Sequence, residues 1–154
     1  MKISKRFSFD ASHQLVGHEG KCANLHGHTY QLEVCLNGQI KQEQGSDQGM
    51  VYDFGHLKSL VQAEILSHFD HAVILQGNEP IASLVETKRA VLGFRTTAEN
   101  MSLYMAYLIQ KGLADGVELE YVRLWETGSS YAEAESADLL GVNLGTFDAV
   151  RFYD

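Results

Sequence analysis

The sequence predicts an α+β fold, in which helices pack on one face of an antiparallel sheet. Two observations predict it: apolar and polar residues alternate near both ends of the chain, and helical periodicity is confined to the middle. The 154 residues are enough for one domain with its own core, so we expect a single domain over residues 1–154. Hydrophobic residues make up 45% and charged residues 21%, which is typical of a soluble globular protein.

Alternation predicts four strands. The first lies within residues 1–14 and the second within residues 28–36. The third covers residues 117–127, and a short fourth strand follows near Tyr131. We therefore expect a four-stranded antiparallel sheet, whose open edges oligomerisation would cover.

Periodicity at three- and four-residue steps predicts two helices, both on one face of the sheet. Asp53 is placed to cap the first, in which apolar residues recur up to His68. Residues 96–99 form a capping box at the start of the second. Residues 77–95 have no clear period and predict an irregular excursion. The tail, residues 133–154, is left without an assignment.

Composition excludes several classes of function. A net charge of −8 argues against a nucleic-acid partner and against a membrane surface, because both attract basic patches. No apolar run of about 18 residues is present, so no transmembrane helix is expected. The alternating, polar start does not resemble a signal peptide. We therefore expect a cytoplasmic protein in which Cys22 and Cys35 remain free thiols.

Three histidines form a candidate metal site. In an extended strand, His26 and His28 point to one face with Cα atoms about 7 Å apart, close enough to chelate one ion. His13 ends the first strand on its inward face and is a third candidate. Three neutral imidazoles with an open fourth position are how proteins hold catalytic zinc. The spacing alone leaves open that these are ordinary polar strand residues.

The role of Cys22, four residues before His26, has three interpretations. It is a fourth zinc ligand that closes a structural site, a thiolate beside an open site, or a small buried thiol without a role. Cys35 lies inside a strand, and this position favours a small buried thiol without a role for Cys35.

Two further positions carry acid–base groups. Asp70 and His71 follow the first helix and are either an acid–base pair or a helix-capping Asp beside a surface His. Glu126 ends a strongly hydrophobic strand. Its carboxylate would accept two parallel N–H bonds from a planar amidine-like heterocycle, or it is a solvated strand end.

Taken together, these residues give a resemblance that none of them gives alone. The sequence resembles the 6-pyruvoyltetrahydropterin synthase and 6-carboxytetrahydropterin synthase family. The matching segments appear in the family's order and together span residues 7 to about 131: they are residues 9–13, 22–30, 50–54, 69–71, 97–100 and 125–127. One departure is Thr96, where the family usually has Pro.

The resemblance implies a T-fold, in which the subunits of a homo-oligomer, with a hexamer favoured, pool their sheets into barrels. It also implies that His13, His26 and His28 bind Zn²⁺. Cys22 would then be the general base.

The remaining roles also come from the resemblance. His71, with Asp70, would form the relay of the general base. Glu126 would anchor the pterin ring, and Thr97 and Glu99 would lie near that ring.

Three residues separate Cys22 from His26, which resembles the carboxy-forming branch of queuosine biosynthesis. That branch implies a zinc-dependent carbon–carbon lyase acting on 7,8-dihydroneopterin triphosphate. Its products would be 6-carboxytetrahydropterin, acetaldehyde and triphosphate. The alternatives are pyruvoyl formation at the same site, a non-catalytic zinc-binding module and, less favoured, a zinc hydrolase.

Overall fold

A seven-stranded sheet forms one layer of the protein, in the order β6-β5-β2-β1-β3-β4-β7. The structure is a computed structural model and describes residues 1–154. The strands are β1 (Lys2–His13), β2 (His26–Gly38), β3 (Ala72–Gln76), β4 (Arg89–Leu92), β5 (Val117–Thr127), β6 (Ser130–Ala134) and β7 (Arg151–Tyr153).

The four expected strands are the antiparallel part of this sheet, namely β6, β5, β2 and β1. The prediction of only four strands was wrong, because β3 and β4 add to the β1 edge in parallel and β7 pairs with β4. Short parallel strands are apolar on both faces and show no alternation. For this reason β3 was not assigned, and β4 was missed inside the supposed excursion of residues 77–95.

Both expected helices are present and lie in the second layer. The first, α1 (Phe54–Val61), continues through a π-helical turn (Gln62–Leu66) into α2 (Ser67–Phe69). Oδ1 of Asp53 caps α1 by accepting the N–H of Gly55 at 2.5 Å. The second, α3 (Ala98–Gly112), is capped by Thr97, whose hydroxyl accepts the N–H of Asn100 at 3.4 Å. The capping box expected at residues 96–99 was wrong by one residue, because the hydroxyl of Thr96 donates to the carbonyl oxygen of Gln14 instead.

The unassigned tail is also folded. It forms a 3₁₀ turn (Ser136–Gly141), a short helix α4 (Leu144–Asp148) and β7. Two further 3₁₀ turns, Lys21–Ala23 and Pro80–Ser83, lie in the connections. None of the helices has the length and apolar character needed to span a bilayer.

The core lies between the sheet and the helices. Alternate residues of β1 and β2 on this inner face, such as Phe9, Tyr30 and Leu32, are buried against Leu57 and Met105 from the helices. The outer face of the sheet is polar instead: Glu33 accepts hydrogen bonds there from Arg6 at 2.9 Å and from Tyr121 at 3.0 Å. A side chain's position along a strand therefore decides which of two very different environments it enters.

Candidate active site

Three imidazoles meet on the inner face at one end of the sheet. β1 ends at His13 and β2 begins at His26, and these two residues are paired across the strands. His28, two residues further on, shares their face. The Nε2 atoms of His13 and His26 are 3.1 Å apart, and one ring nitrogen from each of the three residues lies within 4.8 Å of the others. The structure therefore brings together the three predicted metal ligands.

Backbone carbonyls orient two of these rings. Nδ1 of His13 donates to the carbonyl oxygen of Thr96 at 2.8 Å, and Nδ1 of His26 donates to that of Asn24 at 2.7 Å. Because a carbonyl only accepts, each Nδ1 carries the proton and each Nε2 keeps a free lone pair. Such outer hydrogen bonds are typical of metal-binding histidines.

The third ring supplies a test of whether a metal fits. Nε2 of His28 is buried and has no hydrogen-bond partner in the chain. A buried ring nitrogen without a partner costs free energy, which coordination to a cation would offset. Three neutral nitrogens with this arrangement match the donor set of a zinc site. The residues present therefore fit a metal ion.

Burial favours the neutral form of two of these imidazoles, those of His13 and His28. It lowers the pKa of His13 from 6.5 to about 4, against the opposing effect of the hydrogen bond to Thr96. Burial also lowers the pKa of His28, and the neighbouring His26 adds to that shift. Both shifts favour the neutral imidazole, which is the form that binds a cation.

Glu126 enters the same site from β5. Its Oε1 lies 3.7 Å from Nε2 of His13, and burial, followed by the charge of Glu99, raises its pKa. A cavity of about 320 Å³ opens beside it and is also lined by Thr97 and Glu99 from the start of α3. The three predicted ring-binding residues thus line one cavity next to the histidines.

Cys22 lies in the 3₁₀ turn that follows β1. The turn is held because the carbonyl oxygen of Cys22 accepts the N–H of Leu15 at 2.8 Å. The thiol is half-buried and is not among the close metal-binding atoms, which come only from the histidines. The pKa of Tyr30 is raised first by burial, then by the charge of Glu126 and then by that of Cys22. Cys22 therefore lies near the site.

Asp70 and His71 lie outside the cavity beside Glu126, with Nδ1 of His71 3.0 Å from Oδ1 of Asp70. Asp70 Oδ1 accepts the N–H of Asp10 at 3.0 Å, and His71 has a φ of 60°, which is unusual for a residue other than glycine. His71 lines a cavity with Asp10, Ser12 and Thr29, which occupy the outer-face positions of β1 and β2, and with His28. Within one chain, the predicted relay and Cys22 are therefore not brought together.

Three residues of the site were missed by the sequence. Thr96 and Asn24 act through their carbonyl oxygens, which every residue type has and no motif reveals. Tyr30 is fully buried with an unpartnered hydroxyl, and the charge of Glu126 helps to raise its pKa. Its position two residues after His28, on the same face, was the signal that could have found it.

Comparison with known sequences gives consistent matches. A family model described as 6-pyruvoyl tetrahydropterin synthase matches residues 2–137. The 6-carboxy-5,6,7,8-tetrahydropterin synthase of Haemophilus influenzae is 43% identical over 139 residues, which cover 86% of this chain and 96% of that protein. The protein of the same name from Rickettsia bellii is 34% identical over 86% of this chain and 99% of its own length.

Solved structures give the same result for the fold. An uncharacterized protein of Wolinella succinogenes superposes with a TM-score of 0.75 at 20% identity, over 88% of this chain and 98% of that one. The 6-pyruvoyl tetrahydropterin synthase of Caenorhabditis elegans gives a TM-score of 0.66 at 25% identity, over 88% and 95%. The α+β T-fold expected from the sequence is confirmed, with three strands more than the expected four.

Proposed function

Because the chain belongs to the 6-pyruvoyl tetrahydropterin synthase family, we propose that it converts 7,8-dihydroneopterin triphosphate and one water molecule to 6-carboxytetrahydropterin, acetaldehyde and triphosphate. This is the carboxy-forming reaction of queuosine biosynthesis, carried out in the cytoplasm. The observation that carries the proposal is the group of three imidazole nitrogens beside Glu126, whose carboxylate lies 3.7 Å from Nε2 of His13 and lines the adjoining cavity. The names of the relatives from H. influenzae and R. bellii support the carboxy-forming branch.

His13, His26 and His28 hold Zn²⁺ in this proposal. When bound, the ion supplies a Lewis acid that lowers the pKa of substrate hydroxyls and acidifies the neighbouring C–H bonds. The histidines contribute pre-set tautomers, because the carbonyls of Thr96 and Asn24 fix the protons on Nδ1. No rearrangement of protons is then needed for two of the rings to bind.

Glu126 anchors the pterin ring. Its carboxylate accepts two parallel N–H bonds from the amidine-like edge of the ring, which turns binding into orientation over the metal site. Burial and the charge of Glu99 raise the pKa of Glu126 and so disfavour its carboxylate form. The N–H donors of the ring oppose this effect, because they stabilise the carboxylate. Thr97 and Glu99 line the same cavity and complete the contacts to the ring.

Cys22 removes or shuttles the proton on carbon, as a thiolate next to the cation. His71, oriented by Asp70, passes this proton on. In this proposal His71 reaches Cys22 from a second copy of the chain, because Cys22 is not among the residues that line the cavity beside His71. The proposed active site is therefore complete only in an oligomer.

Two open sheet edges support such an oligomer. β6 forms one edge of the sheet, and β3 pairs only with residues 11–13 of β1, which leaves residues 2–9 without a strand partner on that side. Copies that join β6 to β1 would close their sheets into a barrel and remove both edges. We propose a homo-oligomer on this ground, with a hexamer favoured.

Product analysis tests the proposed reaction. Zinc-loaded protein incubated with 7,8-dihydroneopterin triphosphate should release acetaldehyde and 6-carboxytetrahydropterin in equal amounts. Glu126→Gln is the matched variant: it keeps the size of the side chain but loses one acceptor, so KM should rise. Release of triphosphate without acetaldehyde would show the pyruvoyl-forming reaction instead. No turnover at all, with zinc bound, would favour a non-catalytic zinc-binding module.

A further inference from the structure

We propose that the C-terminal helix α4 positions the metal-binding His13 by fixing residues 93–96. This inference rests on the metal site of the proposed function and adds to it a part of the chain without any ligand residue. The helix lies beyond residue 137, where the match to the family model ends.

The first contact is between α4 and Gly93. A Cβ atom added to Gly93 would collide with the carbonyl oxygen of Thr146 and lie 2.9 Å from Cβ of Ala149. The backbone of residue 93 is therefore pressed directly against α4, and only glycine leaves room for this approach.

The second contact is aromatic. Phe147 of α4 is 6% exposed, and its ring lies 5.5 Å from that of Phe94 and 5.2 Å from that of Tyr104 on α3. Rings at this spacing pack against each other and hold Phe94 in place. The segment that leads to Thr96 is thus fixed on its outer side by α4.

On its other side, the same segment is bound to the end of β1. Thr96 is fully buried, its carbonyl oxygen accepts the Nδ1–H of His13 at 2.8 Å, and its hydroxyl donates to the carbonyl oxygen of Gln14 at 3.1 Å. A displacement of Thr96 would therefore turn the His13 ring and move its Nε2 away from the other two. Loss of such an outer hydrogen bond typically weakens metal binding about 10- to 100-fold.

The tail also offers a control that lacks this connection. Phe152 of β7 stacks on His68 at 4.1 Å and packs on Phe69 at 5.6 Å, at the end of α2. It contributes to stability through a different neighbourhood. Phe147→Ala and Phe152→Ala therefore remove the same side chain from the same tail, but only the first contacts the path to His13.

Zinc affinity separates the two variants. Measured by competition with a chromogenic chelator, at a temperature where circular dichroism shows full folding, Phe147→Ala should bind Zn²⁺ at least about tenfold more weakly than the unmodified protein. Phe152→Ala should bind as the unmodified protein does. Equal losses in both variants, or no loss in Phe147→Ala, would overturn the proposal.

Metal-free protein provides a second readout. The Nδ1–H proton of His13 should give a slowly exchanging NMR signal in the unmodified protein and in Phe152→Ala, and a rapidly exchanging one in Phe147→Ala. An unchanged signal in Phe147→Ala would overturn the proposal. If that variant does not fold, Phe147→Leu replaces it, because leucine keeps most of the apolar volume. Weaker zinc binding and faster exchange of the Nδ1–H proton are expected for Phe147→Leu as well.

These measurements separate the inference from the proposed function. Neither measurement uses a pterin. A protein that binds zinc but has no turnover would refute the proposed reaction, and the two measurements would still test the role of α4. A protein without zinc affinity would refute the metal site, and the NMR signal would still decide whether α4 holds His13.

Discussion

The two groups of predicted catalytic residues occupy contrasting surroundings. The side chain of His13 is 1% exposed, and its ring is aligned with that of His26 by backbone carbonyls. The side chain of His71 is 76% exposed and is held at a cavity on the outer face by its own strained backbone and by Asp70. The first group is assembled within one chain, whereas the cavity beside the second is not lined by Cys22 of the same chain.

This difference indicates a division of labour. Metal binding needs fixed, dry, neutral nitrogens, and one chain supplies them by pairing the end of β1 with the start of β2. Proton relay needs an imidazole that reaches a thiol, and in the proposed oligomer that imidazole comes from another copy. We therefore expect metal binding to survive in an isolated chain and turnover to require the oligomer.

Removing a ligand should have the largest effect on this contrast. His26→Ala should lose zinc and turnover together, by more than the roughly 100-fold cost of outer hydrogen bonds. His18→Ala is the matched control, because His18 lines the neighbouring cavity but is not in the ligand group. Zinc content by mass spectrometry and turnover are both measured. Retained zinc in His26→Ala would contradict the three-histidine site.

Removing the proposed base should separate the two functions. Cys22→Ala should keep its zinc and lose turnover by at least about 100-fold, the usual scale for a positioned acid–base group. Cys35→Ala, which changes a buried thiol on the outer-face side of β2, should keep both. The same assays apply. Stoichiometric loss of zinc from Cys22→Ala would make the thiol a ligand and the site a closed one.

Mixing inactive chains tests where the relay comes from. Cys22→Ala and His71→Ala chains, unfolded together in equal amounts and refolded, should recover activity. If each site takes its thiol and its imidazole from different copies, about a quarter of the sites would be intact. Sites built within one chain would give no recovery, because every chain carries one of the two changes.

The smallest expected effect is a loss of stability of the metal-free protein as the pH falls. Between pH 6.5 and about 4, the unfolded chain protonates at His13 while the folded chain stays neutral there, so stability falls as the pH falls through this window. A shift from 6.5 to about 4 corresponds to a loss of about 3 kcal/mol in the free energy of unfolding. Urea unfolding with a chelator present measures it. His13→Asn should show a shallower slope; an equal slope would contradict the lowered pKa.

The sequence allowed prediction of the parts that depend on periodicity. The alternating strands, both long helices, the cap at Asp53 and the inward face of His13, His26 and His28 all follow from local pattern. These features need only a few neighbouring residues to be decided.

Features that depend on distant contacts could not be predicted. The apolar run of β3 and the four residues of β4 have no period, and β7 is defined only by its partner. Similarly, the carbonyl of Thr96 reaches His13 across 83 residues. The placement of Asp70 and His71 on the other face follows from the parallel pairing of β3, which no local motif indicates.

The metal's coordination shell in the substrate-free protein decides most directly between an open catalytic site and a closed one. X-ray absorption at the zinc edge should show three nitrogen ligands at about 2.0–2.1 Å, a further light-atom ligand and no sulfur. A sulfur shell at about 2.3 Å would mean that Cys22 fills the fourth position, and it would contradict the account of Cys22 as the base.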